Sequence, residues 1–303
     1  MPAHYDLHGR IAFITGAARG IGAESARRLA SRGATIALVG LEPEEMARVA
    51  AECGNGSDSF EADVTDREQL AEVVEQVVER FGGIDICMAN AGIGGGGPVR
   101  LAEPAYFEKV IEVNLMGVYR TVHVCLPHVI ERRGYILVVA SAAALVHAPG
   151  MAAYAMSKAG AEAFANSLRQ EVHHHGVGVG VGYFSWIDTD LVRGADSHPA
   201  LKGRRDRLPS FARKTYPVSA VGDAVLEGVQ KRARTIAVPG WVKVMKALRG
   251  VLWPLAERDA LRQWPEDEAA FERDVAERGA DAASRPVGAG GEAVTARNAR
   301  ERA

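Results

Sequence analysis

Arg10-Ile11-Ala12-Phe13-Ile14-Thr15-Gly16-Ala17-Ala18-Arg19-Gly20-Ile21-Gly22 is the stretch that decides how this chain folds. Its first part is a short apolar run, the mark of a buried strand. The run stops at a glycine-rich turn, and helical periodicity follows from Ile21 to Arg32, ending at Gly33. Glycines at 16, 20 and 22 permit positive φ and close backbone approach. A helix that opens there offers free N–H donors and a partial positive charge to a pyrophosphate. A turn that binds nothing would use the same glycines. Their place between a strand and a helix favours dinucleotide binding, with Gly16, Arg19, Gly20, Ile21 and Gly22 as contacts.

Working outward, short apolar runs alternate with helical periodicity. Strands are predicted over 35–39, 59–64, 84–89, 135–140, 177–184 and 235–238. Helices are predicted over 44–52, 67–81, 153–174 and 223–232, and two more over 104–130, broken near Pro127. This alternation predicts an α/β fold: a Rossmann-like, doubly wound parallel sheet of about seven strands with helices on both faces. Ligands of such sheets bind outside the carboxyl ends of the strands. The catalytic domain is expected over 1–240, a helical extension over 241–278 and a disordered tail over 279–303. In the extension, Trp241 to Leu255 shows helical spacing, and Pro254 and Pro265 are expected to break it. The tail is rich in Ala, Gly, Arg and Glu, with little that forms a core.

Bulk properties narrow the function. A 303-residue chain with 48% hydrophobic residues builds a sizeable core, and a net charge of −2 gives no electrostatic reason to bind nucleic acid. Cys53, Cys87 and Cys125 are scattered, which argues for a reducing, cytoplasmic setting and against a disulfide framework or a zinc site. The N-terminus shows no signal pattern, and no apolar run reaches the ~18 residues of a membrane span.

Three further groups carry chemistry. Asp63-Val64 follows the third strand and Asn90-Ala91-Gly92 the fourth, where they would line an adenosine groove. Asp63 could also serve as the N-cap of the next helix. Tyr154 and Lys158 stand at i and i+4 on one helix face, with Ser141 thirteen positions before the tyrosine. An ammonium beside a phenol lowers its pKa, and a phenol so tuned exchanges a proton with an alcohol or ketone oxygen.

The chain thus resembles the short-chain dehydrogenase/reductase family of compact, single-domain type. The T-G-x-x-x-G-x-G element at 15–22, Asn90-Ala91-Gly92, Asn114, Ser141 and the Tyr154/Lys158 pair appear in the family's order over residues 7–240. The resemblance implies Tyr154 as general acid/base and Lys158 as the group that lowers its pKa and holds the nicotinamide ribose. It also implies Ser141 as the ligand of the substrate oxygen, Asn114 as the anchor of a proton-relay water, and no catalytic metal. Ile187 and Thr189 match the stretch that contacts the carboxamide, whereas Phe184-Ser185 replaces the usual Pro-Gly. The implied assembly is a homo-oligomer, a tetramer or a dimer.

The implied activity is NAD(P)(H)-dependent interconversion of a secondary alcohol and a ketone, that of an alcohol dehydrogenase or ketoreductase. The alternatives are a catalytically silent dinucleotide sensor and a dehydratase or epimerase on the same scaffold. Gly40 stands where an NAD-selecting acid is usual; Glu42 follows two residues later, and Arg19 could pair with a 2′-phosphate, so the balance tips to NADP(H) over NAD(H). Residues 190–216 form the expected substrate loop, rich in Arg and Lys, read as a solvated mobile lid ahead of an anion attractor. His147 and Met151 are expected to border a pocket with Ala144, Leu145, Val146 and Ala148 as an apolar wall, hence a lipophilic small-molecule substrate. His173-His174-His175 reads as a polar helix end. For 241–255, packing on the core or another subunit ranks first and peripheral membrane contact second.

Overall fold

The computed structural model describes residues 4–301. The chain forms β1 (Ile11–Thr15), α1 (Gly20–Ala30), β2 (Thr35–Gly40), α2 (Pro43–Cys53), β3 (Asp58–Glu61), α3 (Arg67–Phe81) and β4 (Ile86–Ala89). Then follow α4 (Pro104–Ile111), α5 (Gly117–Glu131), β5 (Tyr135–Val139), α6 (Ala152–Glu171), β6 (Gly178–Phe184), α7 (Asp190–Ser197), α8 (Ser210–Arg213), α9 (Val218–Gln230), β7 (Thr235–Val238), α10 (Trp241–Ser284) and α11 (Gly288–Glu301). All seven strands pair in parallel in the order β3-β2-β1-β4-β5-β6-β7. The order reverses direction between β1 and β4, where Phe13 pairs with Ala37 on one side and Cys87 on the other. That switch point opens the crevice expected to hold a dinucleotide.

The central strands β1, β4 and β5 read as near-continuous apolar runs because both sheet faces are covered there, whereas the edge strand β3 is polar and only partly buried. On one face Phe13, Cys87, Ile136 and Val181 pack with Leu70 and Val77 of α3, Val122 of α5 and Ala161 of α6. On the other, Ile14, Ile36, Leu38 and Met88 pack with Leu29 of α1, Val49 of α2 and Val225 of α9. Each wholly buried Leu, Ile or Val contributes roughly 1.5–3 kcal/mol, so the two layers fix the sheet that carries the site.

Four sequence expectations are corrected. The break between α4 and α5 is a π-helical turn at Glu112–Met116, and Pro127 lies inside α5. α10 likewise runs through Pro254 and Pro265 and departs from helical geometry only at Gly279. All three prolines are exposed, as are His123, Gly250 and Leu261 four residues before them, so the carbonyls that lose a donor can bind water. The N-cap of α3 is Asp66, whose carboxylate accepts from Gln69 N at 3.0 Å; Asp63 instead accepts from Thr65 N and Oγ1, both at 2.8 Å. Within the expected disordered tail, α10 continues to Ser284 and α11 packs against α7, with Val294 only 7% exposed. Residues 1–3 of the expected domain and 302–303 of the expected tail lie outside the described residues.

Trp241, Val242 and Met245 pack on the core, and Val244, Leu248 and Val251 of the same helix are exposed. Among the described residues no helix is long and apolar enough to cross a membrane.

Candidate active site

The glycine turn has the conformation that only glycine accepts without strain. Gly16 has φ of +64°, and a Cβ there would stand 2.8 Å from Ala91 Cα, so the turn after β1 presses on the turn after β4. Asn90 locks the two together: its Nδ2 donates to Thr15 O at 2.9 Å and Gly16 O at 3.0 Å, and its N–H donates to Thr15 Oγ1 at 3.1 Å. Asn90 thus shapes the phosphate turn. Thr15 is a partner that the residue-by-residue reading passed over, although it opens the glycine motif.

The N-terminus of α1 fits an anionic group. It has no capping side chain and no acidic residue in its first turn, and Arg19 Nε is buried there without a partner. Gly20 approaches Thr189, where an added Cβ would meet Thr189 Cγ2 at 3.3 Å. The residues expected at the pyrophosphate and at the carboxamide therefore lie side by side. Arg19 is not unengaged: it is ion-paired with Glu42 and lies 3.5 Å from Asp190 Oδ2.

The proton-transfer residues converge beside the Gly92 turn. Asn114 sits in the π-helical turn, fully buried, and clamps Ile93: Oδ1 accepts from Ile93 N and Nδ2 donates to Ile93 O, each at 2.8 Å. Its Nδ2 also donates to Ser157 Oγ at 3.2 Å. The π turn is the local widening that frees this side chain to reach sideways. Ser141 Oγ accepts from Ala143 N at 3.1 Å, capping a short 3-10 turn, and donates to Phe184 O at 3.3 Å. Tyr154 and Lys158 rise from one face of α6 as the spacing requires. An added Cβ at Gly92 would meet Asn114 Oδ1 at 3.2 Å and Lys158 Nζ at 3.3 Å, which sets Gly92, Asn114 and Lys158 side by side.

The electrostatics correct one expectation. The phenol's pKa is raised, not lowered, in the structure. Burial pushes Tyr154 up, opposed by its hydrogen bond to Ser141, and burial brings Lys158 down to about 8. Lys158 Nζ donates to Val139 O at 3.0 Å and stands 5.8 Å from the Tyr154 ring centroid.

The replacement of Pro-Gly by Phe184-Ser185 leaves a regular strand end. Phe184 is buried, and Ser185 N donates to Val238 O at 3.0 Å. Ile187 pairs with Tyr216, which fixes the path to Thr189.

The expected substrate loop carries regular structure. It folds into α7, a 3-10 turn at Arg204–Arg207, and α8. Four of its five arginines are ion-paired: Arg193 with Asp188 and Asp190, Arg205 with Asp196, and both Arg204 and Arg207 with buried Asp267 of α10. Ala144 and Leu145 belong to the buried core, while His147 packs on Trp253 with ring centroids 5.0 Å apart. Phe271 of α10 lies beside Gly150 and Arg204. The extension therefore braces the loops around the site. Helical spacing alone could not reveal that, because Asp267 and Phe271 acquire meaning only through contacts 60 or more residues away in sequence.

A doubly wound sheet with a phosphate-fitting turn after β1 and a tyrosine, lysine and serine beside the Gly92 turn defines a dinucleotide-dependent oxidoreductase. The model of the family described as short chain dehydrogenase matches residues 10–200, and the chain belongs to that family. It is 33% identical over 243 residues to 2,3-dihydro-2,3-dihydroxybenzoate dehydrogenase of Bacillus subtilis, covering 77% of this chain and 93% of that one. It is 31% identical over 213 residues to a 3-oxoacyl-(acyl-carrier-protein) reductase of Thermotoga maritima, covering 69% and 81%. A dehydrogenase/reductase from Sinorhizobium meliloti superposes with a TM-score of 0.69 at 27% identity, covering 77% of this chain and 96% of that one. The protein is an oxidoreductase of this family, and its cofactor is a nicotinamide dinucleotide, NAD(P).

Proposed function

We propose that the protein interconverts a secondary alcohol and a ketone on a lipophilic small molecule, with NADP(H) preferred to NAD(H). The observation that carries this reading is the convergence of Ser141, Tyr154 and Lys158 beside the Gly92 turn. Two relatives support the reaction class, one named as a dehydrogenase and one as a 3-oxoacyl reductase.

In this reading Gly16, Arg19, Gly20, Ile21 and Gly22 hold the pyrophosphate. Glu42, Asp63, Val64, Asn90, Ala91 and Gly92 line the adenosine side, and Ile187 and Thr189 orient the carboxamide. The nicotinamide supplies or accepts the hydride when bound. Everything else is done by the chain. Ser141 Oγ exchanges its long bond to Phe184 O for one to the substrate oxygen. Tyr154 keeps its proton in the resting site because burial disfavours phenolate, so it is ready to protonate a ketone oxygen. For oxidation Tyr154 first gives up that proton through the relay, the ammonium of Lys158 on the same helix face stabilises the phenolate so formed, and the phenolate then takes the proton of the substrate hydroxyl. Asn114, by fixing Ile93, holds the loop that carries Gly92 against Lys158, and it anchors the relay water that restores the proton.

The preference for NADP(H) rests on Arg19. Binding a 2′-phosphate means that the guanidinium trades Glu42 for the phosphate, a charge-assisted contact of the stronger kind. Exposed Met116, Tyr119 and Met156, at the start of α5 and on α6, support a homo-oligomer. The test is a panel of lipophilic secondary alcohols and ketones followed by NAD(P)H absorbance. Turnover of at least one pair is expected; a panel with no turnover and no nucleotide binding sinks the reading.

A further inference from the structure

The C-terminal strap crosses the cleft that the proposed reaction needs. Beyond the break at Gly279, α10 ends at Ser284, whose carbonyl accepts from Gly96 N at 3.0 Å. Val287 N then donates to Gly94 O at 2.8 Å, as an antiparallel bridge. Gly288, with φ of +75°, lies so close to α7 that an added Cβ would stand 2.5 Å from Asp190 O. Gly94 belongs to the loop after β4 and Asp190 opens the helix after β6, so residues 287–288 bridge opposite walls of the crevice. From there α11 runs toward the β3 side. Nine residues on, at ~1.5 Å of rise each, Arg297 lies against Asp63, with Nε 3.6 Å from Oδ2, and donates to Gln69 Oε1 at 3.2 Å. The strap thus spans from the Thr189 end of the cleft to the Asp63 end.

Asp63 is consequently engaged on both oxygens. Oδ1 accepts from Thr65 N and Oγ1, and Oδ2 faces Arg297. An adenine amino group seeking that carboxylate finds a guanidinium in its place. The helix that delivers Arg297 is also easily displaced. Gly288, Gly290 and Gly291 open it, and Val294 is the one large aliphatic side chain between 288 and 297. We propose that Arg285–Arg297 is an autoinhibitory strap that competes with the adenosine half of the cofactor for Asp63 and with the nicotinamide half for the space between Gly94 and Asp190. Nucleotide binding then releases α11. The proposal rests on the dinucleotide reading above.

The test uses full-length wild type with Arg297→Ala and Gly288→Val, which loosen opposite ends of the strap. Kd for NADPH and NADH is read from nucleotide fluorescence, and amide exchange of 288–297 is followed in wild type with and without saturating NADPH. Both variants should bind at least one nucleotide several-fold more tightly than wild type. In wild type, exchange over 288–297 should rise when NADPH is added. Unchanged or weaker binding in the variants, or slower exchange over 288–297 on adding NADPH, overturns the strap while leaving the oxidoreductase reading intact. Absence of nucleotide binding in every protein overturns both.

Discussion

Lys158 Nζ donates to the carbonyl of Val139 at 3.0 Å, and through that bond a nearly buried ammonium is held at the end of β5, beside the cleft. The price is stability: with its pKa brought down to about 8, Lys158 opposes folding wherever the unfolded chain would carry its proton more comfortably. The penalty is complete below about pH 8. It fades as pH rises toward the ordinary lysine value near ~10.4. Lys158→Met should therefore raise stability at pH 7 by up to ~3 kcal/mol, with the gain shrinking by pH 10. The same variant should lose turnover. Urea unfolding at the two pH values checks the first outcome and initial rates the second.

Glu42 and Arg19 neutralise each other at the end of β2. Removing the acid leaves Arg19 to Asp190 and to the cofactor. Glu42→Gln should shift the ratio of kcat/KM for NADP⁺ over NAD⁺ upward by about tenfold, equivalent to ~1.4 kcal/mol. The shift should shrink with added salt, because the pair is partly exposed. An unchanged ratio removes Arg19 from the 2′-phosphate site.

Asp267, 6% exposed, ties Arg204 and Arg207 of the substrate loop to α10. Asp267→Asn leaves two guanidinium groups facing a neutral amide. A loss of ~1–3 kcal/mol is expected in urea unfolding. KM for substrate should rise more than kcat falls, and trypsin should cut within 204–213 more readily than in wild type.

Much of this was legible in the sequence because it depends on local rules. The α/β alternation yields the sheet, the glycine turn lies between β1 and α1, and the i, i+4 spacing brings Tyr154 and Lys158 to one face of α6. What was not legible depends on contacts distant in sequence. The phenol's raised pKa follows from burial, which no spacing encodes. The arginines of 190–216 looked solvated because Asp267, which pairs with Arg204 and Arg207, lies in the extension, outside the apparent domain. Composition alone made 279–303 look unstructured, since a helix with one large aliphatic side chain at its start has little intrinsic drive; Gly94, Asp63 and α7 supply its partners. Pro127, Pro254 and Pro265 show the converse, strong local signals overridden where the orphaned carbonyls face water.

The central claim is that Tyr154 moves the proton at the substrate oxygen. Its direct measurement compares wild type and Tyr154→Phe, using the ketone panel and NAD(P)H oxidation, with nucleotide Kd read in parallel. The variant should lose ~10²–10⁴-fold in kcat, while its nucleotide Kd stays within about twofold of wild type. A Tyr154→Phe enzyme that turns over the panel at the wild-type rate contradicts the account.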